Sequence, residues 1–222
     1  MRIEWVNQQG GGQVVVFFNG WGMDRRAVSH LACDGDLLLI SDYRKLEPEL
    51  LPDLSAYGEV RIAAWSMGVW AAFTLLPDWG VPCNRLVGLN GTALPVDNRY
   101  GIPEAVYRLT ERGMNEQGRE KFFARMFTGE TERRRFRHNA PERELPEQLE
   151  ELAAIREAGG RDSATLHWSN VYVSEGDVIF PTANQRAFWE NRCVVTPLPG
   201  GHYPFYRFGC WDEIFEGTAN DR

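Results

Sequence analysis

The sequence has no long hydrophobic run and no excess of positive charge. No part of its 222 residues approaches the roughly 20 consecutive apolar residues that a membrane-spanning helix needs. The opening residues also lack the apolar core of a signal peptide. Acidic residues outnumber basic ones and set a net charge of -7, whereas nucleic acid and anionic membranes both require a basic face. We therefore expect a cytoplasmic protein that binds neither nucleic acid nor membrane.

Cysteine is scarce and scattered. The chain has 4 cysteines, Cys33, Cys83, Cys193 and Cys210, and none forms the Cys-x-x-Cys pair of zinc sites and dithiol redox motifs. Idle thiols in a reducing compartment are the expected state. The histidines show no spacing typical of metal ligands, and we expect neither a metal nor another cofactor.

Length and composition favour one enzyme-sized domain. A chain of 222 residues is long enough for a sizeable core and short for two domains. It is 43% hydrophobic, with 8 Trp and 12 Phe, a composition that suits an enzyme with an apolar pocket. We predict a single domain over residues 1–222.

Short apolar runs alternate with helix-compatible segments. The runs end in polar or Gly/Pro loops and predict buried strands of a mostly parallel sheet; they lie at 14–18, 37–41, 60–63, 86–89, 171–174 and 194–197. Helices are predicted over 25–31, 67–76 and 182–190, and residues 1–7 predict an added edge strand or hairpin arm. The alternation implies a doubly wound α/β fold. Its ligands bind beyond the carboxyl ends of the strands.

The segment from about residue 92 to residue 161 breaks this alternation. It is rich in charge, has helical periodicity in its apolar residues and contains no convincing strand. We predict that it forms a helical cap inserted into the α/β domain.

A serine between small residues follows the third predicted strand. The segment Ala64-Trp65-Ser66-Met67-Gly68 resembles the Gly-x-Ser-x-Gly elbow, in which a sharp strand-to-helix turn raises a nucleophilic hydroxyl above the sheet edge. Ala64 replaces the usual first glycine and is still small. A serine that merely opens a helix after a buried strand is the structural alternative.

Two further residues complete a candidate catalytic set with Ser66. His202 follows the last predicted strand in Gly200-Gly201-His202, and Asp177 follows the strand before it. Serine catalysis needs such a base and a carboxylate to orient it. The chain order Ser66, Asp177, His202 is that of α/β-hydrolases and predicts that fold. Asp97 is the reserve candidate for the acid.

The loop after the first buried strand supplies a candidate oxyanion hole. In Phe18-Asn19-Gly20-Trp21-Gly22 the backbone can bring the Trp21 amide toward the Met67 amide, which follows the serine at a helix N-terminus. Two such donors can hold the negative oxygen that develops during acyl transfer. An ordinary glycine-rich turn is the alternative.

Three motifs together resemble one known family. Asn-Gly-Trp-Gly from Asn19, Ala-Trp-Ser-Met-Gly-Val from Ala64 and Gly-Gly-His-Tyr-Pro-Phe from Gly200 are similar to those of BioG-type pimeloyl-[acyl-carrier protein] methyl ester esterases, and the resemblance extends over nearly the whole chain. It implies an α/β-hydrolase of biotin synthesis that acts on a methyl-pimeloyl chain carried by acyl-carrier protein. It also implies Ser66 as nucleophile, His202 as base and Asp177 as its orienting acid. The related BioH-type esterases have His-Gly-Trp-Gly in the first motif.

A long acyl chain and its carrier would each need a binding surface. An apolar channel between cap and core is predicted from aromatic residues and methionine, with ordinary packing as the alternative: Trp21, Trp65, Phe122, Phe123, Met126 and Phe127. From Arg108 to Arg137 the chain has nine basic residues against five acidic ones, which suits an acidic, phosphate-bearing carrier. The predicted carrier-docking residues are Arg125, Arg133, Arg134, Arg135 and Arg137, with a solvated helix face as the alternative.

Two other functions stay open at this point. The same Ser, His and Asp could serve an acyl thioesterase or an esterase for small esters. From a different class, the chain could be a catalytically silent binding protein with a hydrolase-like fold.

Overall fold

A single, mostly parallel sheet forms the centre of the molecule. The computed structural model describes residues 1–162 and 166–218, and within them seven strands lie in the order β1-β3-β2-β4-β5-β6-β7. The strands are β1 (Arg2–Asn7), β2 (Gln13–Phe18), β3 (Asp36–Ser41), β4 (Glu59–Trp65), β5 (Arg85–Leu89), β6 (Asn170–Ser174) and β7 (Val195–Leu198). β1 pairs with β3 in the antiparallel sense, and the other neighbours are parallel. The predicted mostly parallel sheet is confirmed, with β1 as an edge strand.

Helices cover the sheet and form the long insertion. They are α1 (Met67–Trp79), α2 (Glu104–Gly113), α3 (Glu116–Arg125), α4 (Glu130–Asn139), α5 (Leu145–Ala158), α6 (Thr182–Trp189) and α7 (Trp211–Glu216). The segments predicted over 67–76 and 182–190 correspond to α1 and α6. Over the parts of the chain that the structure describes, no helix combines the length and apolar character needed to cross a membrane.

The helix predicted over 25–31 is wrong. Only a short 3-10 helix forms there, over Arg25–Val28. The chain then runs beside the C-terminal segment, where Ala32 pairs with Cys210 and His30 Nε2 lies 3.1 Å from the Phe205 carbonyl oxygen. These tertiary contacts outweigh the weak local preference for a longer helix.

The central strands are apolar because both faces of the sheet are covered. In β2 the side chains of Val14, Val16 and Phe18 pack into the core on one face, and those of Val15 and Phe17 pack into the core on the other. A strand buried on both sides reads as a continuous apolar run rather than an alternating one. This explains why the runs in the sequence located the strands well.

The strand order places two loops together at one edge of the sheet. From β2 the chain crosses to β3 on one side and then returns to β4 on the other. Phe18 at the end of β2 is paired with Ala64 near the end of β4. The loop from Asn19 and the turn at Ser66 therefore start side by side, at the switch point where such sheets bind their ligands.

The insertion between β5 and β6 contains α2, α3, α4 and α5. These helices lie inside the predicted cap segment of about 92–161, and Phe122, Met126 and Leu152 from this segment line a pocket together with Ser66. The prediction of one domain over 1–222 also includes residues 163–165 and 219–222, which lie outside the described residues. It stays a prediction.

Candidate active site

Ser66 occupies a sharp turn between β4 and α1. Its backbone has φ 56° and ψ -121°, a conformation that costs a non-glycine residue free energy and is typical of functional sites. A Cβ at Gly68 would lie 2.1 Å from the Phe18 carbonyl oxygen, so only glycine fits two residues after the serine. Ala64 is fully buried in β4 and its methyl group is accommodated.

Gly68→Ala is expected to destabilise the fold, because the new methyl group would overlap backbone atoms of β2 and the following loop. Overpacking of this kind costs about 1–3 kcal/mol, and more where backbone must move. Urea unfolding measures the loss. Gly113→Ala is the matched control, since a Cβ there meets no atom within 4 Å. Equal unfolding midpoints for the two variants would contradict the close approach of α1 to β2.

The structure brings the three predicted catalytic side chains into one hydrogen-bonded row. His202 Nε2 lies 2.8 Å from Ser66 Oγ, and His202 Nδ1 lies 2.8 Å from Asp177 Oδ2. The three side chains come from loops after β4, β6 and β7, and each residue is buried. The arrangement has the geometry required for a base that takes the hydroxyl proton and a carboxylate that orients it.

The carboxylate of Asp177 has hydrogen-bond donors on both oxygens. Oδ1 accepts from the amides of Ile179 and Phe180, each at 2.9 Å. Oδ2, the oxygen beside His202, also accepts from Gln185 Nε2 at 2.9 Å. These donors hold the carboxylate in one orientation beside His202.

Asp97 does not approach His202 in the structure. Its Oδ1 accepts from the amides of Arg99 and Tyr100 at 2.8 and 2.7 Å, so it stabilises a turn of its own loop. The geometry thus favours Asp177 over the reserve candidate.

The backbone of the histidine loop is held by two side chains. The His202 carbonyl oxygen accepts from Trp65 Nε1 at 3.0 Å and from Asn90 Nδ2 at 2.9 Å. Asn90 Oδ1 also accepts from the Ser174 amide at 2.7 Å, so Asn90 links the ends of β5 and β6 to the histidine.

Sequence reasoning missed Asn90 and Gln185. Asn90 directly follows the buried strand β5, and that position at the carboxyl end of a parallel strand is the signal that could have found it. Gln185 lies within α6, and no local pattern marks it.

Two residues of the Ser66 pocket, Trp21 and Met67, have backbone amides without a hydrogen-bond partner in the part of the chain that the structure describes. Within residues 1–162 and 166–218, neither the Trp21 amide nor the Met67 amide has an acceptor, although both residues are at least 95% buried. Buried unpaired amides are rare in folded proteins. Both residues line the pocket that contains Ser66 and His202, and the oxyanion hole formed by their amides stays a prediction.

The pocket over Ser66 is mainly apolar. Trp21, Trp65, Phe122 and Met126 line it, as predicted for the channel, and the rings of Trp21 and Phe122 meet edge to face at 5.0 Å. Leu152 and Ile179 add further apolar surface. The wall can therefore accept an alkyl chain and exclude water.

Phe123 and Phe127 were predicted to line the same channel, and the structure places them elsewhere. They lie in a separate groove between α3 and α4, with Phe136 at its base. Successive residues of a helix point about 100° apart, so Phe122 and Phe123 cannot both face Ser66.

The five predicted carrier-docking arginines do not share one surface. Arg125 lines the pocket over Ser66 and donates to the Val178 carbonyl oxygen at 3.1 Å. Arg133 and Arg137 line the groove between α3 and α4 together with Arg119 and Lys121. Arg134 is exposed and pairs with Glu130, and the Arg135 guanidinium lies 4.0 Å from the centre of the Tyr206 ring.

No cluster with the composition of a metal site is present in the described residues: no three His, Cys, Asp or Glu side chains converge there. The polar residues that line the pocket include Ser66, His202, Thr110 and Arg125.

A parallel sheet with a serine elbow after β4 and a histidine loop after β7 defines the α/β-hydrolase class. The profile of one family within it, pimeloyl-ACP methyl esterase BioG, matches residues 1–214. The chain belongs to the BioG family, and the resemblance found in its three motifs is confirmed.

One solved structure supports the family assignment, and a more distant one supports the fold. The crystal structure of BioG from Haemophilus influenzae superposes with a TM-score of 0.88 at 36% identity, covering 97% of this chain and 100% of that one. An enol-lactonase from Burkholderia xenovorans LB400 shares the fold at 17% identity, with a TM-score of 0.67 over 98% of this chain and 92% of that one.

A third relative is much longer than this chain. A malonyl-[acyl-carrier protein] O-methyltransferase from Bacteroides fragilis is 37% identical over 194 residues, which are 86% of this chain and 39% of that protein. The chain therefore corresponds to well under half of it.

Proposed function

We propose that the protein hydrolyses pimeloyl-[acyl-carrier protein] methyl ester to pimeloyl-[acyl-carrier protein] and methanol, a step of biotin synthesis. The observation that carries the proposal is the row from Ser66 through His202 to Asp177 at the base of an apolar pocket, in a member of the BioG family. The three side chains support ester hydrolysis as the reaction, and membership of the family supports the choice of substrate.

The proposed reaction has two halves. His202 Nε2 takes the proton of Ser66, whose oxygen attacks the ester carbonyl carbon, and the Trp21 and Met67 amides hold the resulting oxyanion. Collapse of this intermediate breaks the bond to methoxide, which leaves as methanol with the proton from His202. A water molecule then gives a proton to His202 and attacks the acyl-Ser66 carbonyl. Collapse releases the free carboxylate and restores Ser66.

The methyl ester lies at the far end of the acyl chain from the carrier. The ester carbonyl must reach Ser66, so the alkyl chain lies against the apolar wall of Trp21, Phe122 and Met126. The carrier then remains outside, at the cap. The name of the methyltransferase relative supports a carrier-bound acid methyl ester as substrate, since an O-methyltransferase acting on such an acid forms the bond that this reaction breaks.

The groove between α3 and α4 is the part of the cap that best suits an acidic carrier. It combines Arg119, Lys121, Arg133 and Arg137 with a single acidic residue, Glu120, and an apolar base. Cationic side chains around apolar surface favour an acidic partner that also buries hydrophobic contacts. Arg134 on α4 is exposed and pairs with the exposed Glu130.

Reversing the charge of Arg133, Arg134 and Arg137 together is expected to lower kcat/KM for the carrier-linked ester by roughly tenfold or more, because the encounter with an acidic carrier loses its electrostatic steering. The salt dependence of that rate should flatten. Hydrolysis of p-nitrophenyl butyrate should change little, since these side chains lie away from Ser66.

Arg85→Glu is the control for the charge reversal. Arg85 is exposed at the first residue of β5, at the end of the sheet opposite the active site. Equal losses on the carrier-linked and the small ester would mean that the cap arginines support the fold, and the docking role would be rejected.

One assay separates the proposed reaction from its alternatives. Purified protein is incubated with methyl-pimeloyl-[acyl-carrier protein], and the masses of the products are measured by mass spectrometry. We expect methanol and an intact carrier whose acyl group has lost one CH₂ unit. A released carrier thiol would identify a thioesterase instead. No product, together with no labelling of Ser66 by a fluorophosphonate, would identify a silent binding protein.

A further inference from the structure

A buried cluster of charged groups lies beside the active site and has no part in the proposed reaction. Arg143 Nη1 is 2.6 Å from Glu151 Oε2, and Arg143 Nη2 is 3.2 Å from Asp42 Oδ1. Glu151 is fully buried, and burial raises the pKa of its carboxyl while Arg143 and the Tyr43 amide oppose that shift. Buried ion pairs often contribute little net stability, so the stability of the fold does not by itself account for this cluster.

The cluster holds the loop that carries the Trp21 amide. Glu151 Oε2 accepts from the Gly22 amide at 3.1 Å, and Gln148 Nε2 donates to the Gly22 carbonyl oxygen at 2.9 Å. The Trp21 indole Nε1 donates to the Gln148 carbonyl oxygen at 2.8 Å. Three hydrogen bonds to Gln148 and Glu151 of α5 thus hold Trp21 and Gly22, the two residues at the tip of the loop.

The start of the same loop is held through the other oxygen of Glu151. Oε1 accepts from the Tyr43 amide at 2.9 Å, and the Tyr43 hydroxyl donates to the Asn19 carbonyl oxygen at 2.8 Å. One carboxylate therefore connects both ends of the segment from Asn19 to Gly22. Between these ends the Trp21 amide is, within the described residues, without an acceptor.

We infer that Glu151 and Gln148 are positioning residues for the oxyanion hole: α5 sets the place of the Trp21 amide relative to Ser66. The inference deepens the proposed function and rests on its acyl-enzyme mechanism. An oxyanion-hole donor is effective only within a narrow range of positions, since a displacement of about 1 Å can cost on the order of 100-fold in rate. Glu151 and Gln148 thus act through the loop that carries the Trp21 amide, and neither side chain reacts with the substrate.

The test compares two variants of α5 with a control on the same helix. Glu151→Gln removes the carboxylate, and Gln148→Met removes the amide donor at similar volume without changing any charge. Glu150→Gln is the control, because its side chain is 64% exposed and pairs with Arg44, away from the loop. For each protein kcat and KM are measured on p-nitrophenyl butyrate, per active site titrated with a fluorophosphonate. The Ki of an alkyl trifluoromethyl ketone is measured as well, because its serine adduct places an oxyanion in the hole.

We expect kcat to fall by about 10- to 100-fold in both loop variants, with KM little changed. The Ki should rise in parallel with the fall in kcat/KM. A purely structural role would change neither kcat per titrated site nor the affinity for the inhibitor. Unchanged kcat per titrated site, or an unchanged Ki, would overturn the inference while leaving the proposed function intact. If Glu151→Gln fails to fold, Gln148→Met decides by the same criteria. A wild-type protein that neither hydrolyses esters nor reacts with the fluorophosphonate would instead reject the proposed function, and the inference with it.

Discussion

Replacing Ser66 with alanine is expected to remove nearly all ester hydrolysis and to leave the fold intact. The substitution deletes the oxygen that lies 2.8 Å from His202 Nε2 and adds no atom. We expect a loss of roughly a thousandfold or more in kcat. His202→Ala should cost a similar factor, because the nucleophile without its base is as ineffective as the base without its nucleophile. The double variant should then be little worse than either single one.

The measurement is kcat on methyl-pimeloyl-[acyl-carrier protein] and on p-nitrophenyl butyrate, with circular dichroism to verify folding. His138→Ala is the matched control, since His138 lies exposed on α4 and should be dispensable. Near wild-type turnover by a folded Ser66→Ala protein would eliminate the acyl-enzyme mechanism.

Asp177→Asn is expected to lower kcat by a factor on the order of 10⁴ if the site follows the precedent of serine proteases. The surroundings of the side chain give the reason. The amides of Ile179 and Phe180 both donate to Oδ1, so the asparagine oxygen must stay on that side. Its NH₂ group then faces His202 Nδ1 and forces that nitrogen to accept. The proton of the neutral imidazole moves to Nε2, which can no longer take the proton of Ser66.

Asp97→Asn is the control for the acid. Its Oδ1 accepts two backbone hydrogen bonds in its own loop, and an asparagine oxygen can replace it there. We expect activity close to wild type. If the two variants rank in the opposite order in kcat, the orienting carboxylate is Asp97 and the row described above is not the catalytic one.

The sequence predicted the sheet well because its signal is local. Strands buried on both faces must be apolar throughout, so five runs located β2 to β6 to within two residues at each end. A sixth run located β7 equally well, although only one of its four residues is buried. The elbow could also be recognised from the sequence. The close approach of α1 to the Phe18 carbonyl oxygen restricts the residue two positions after Ser66 to glycine, and this glycine is part of the motif.

Predictions that depended on which way a side chain points were less successful. Phe122 and Met126 line the pocket over Ser66, whereas Phe123 and Phe127 line the groove on the other side of α3. Helical spacing in a sequence shows which residues share a face, but not which face meets the active site. The segment 25–31 failed as a helix for a related reason, because its contacts with the C-terminal segment are invisible to local propensity.

By itself, the sequence determined the parallel sheet, the position of the elbow after β4 and the family to which the chain belongs. These follow from short patterns in which neighbouring residues constrain one another. The tertiary structure alone decided that Asp177 rather than Asp97 reaches His202, that Asn90 and Gln185 support them, and that Glu151 of α5 grips the loop before β3. Most of these contacts join residues far apart in the chain, up to 129 residues for Glu151 and Gly22, whereas Gln185 and Asp177 are eight residues apart. The strand order and the course of the inserted helices bring these groups together, and no local pattern in the sequence encodes either one.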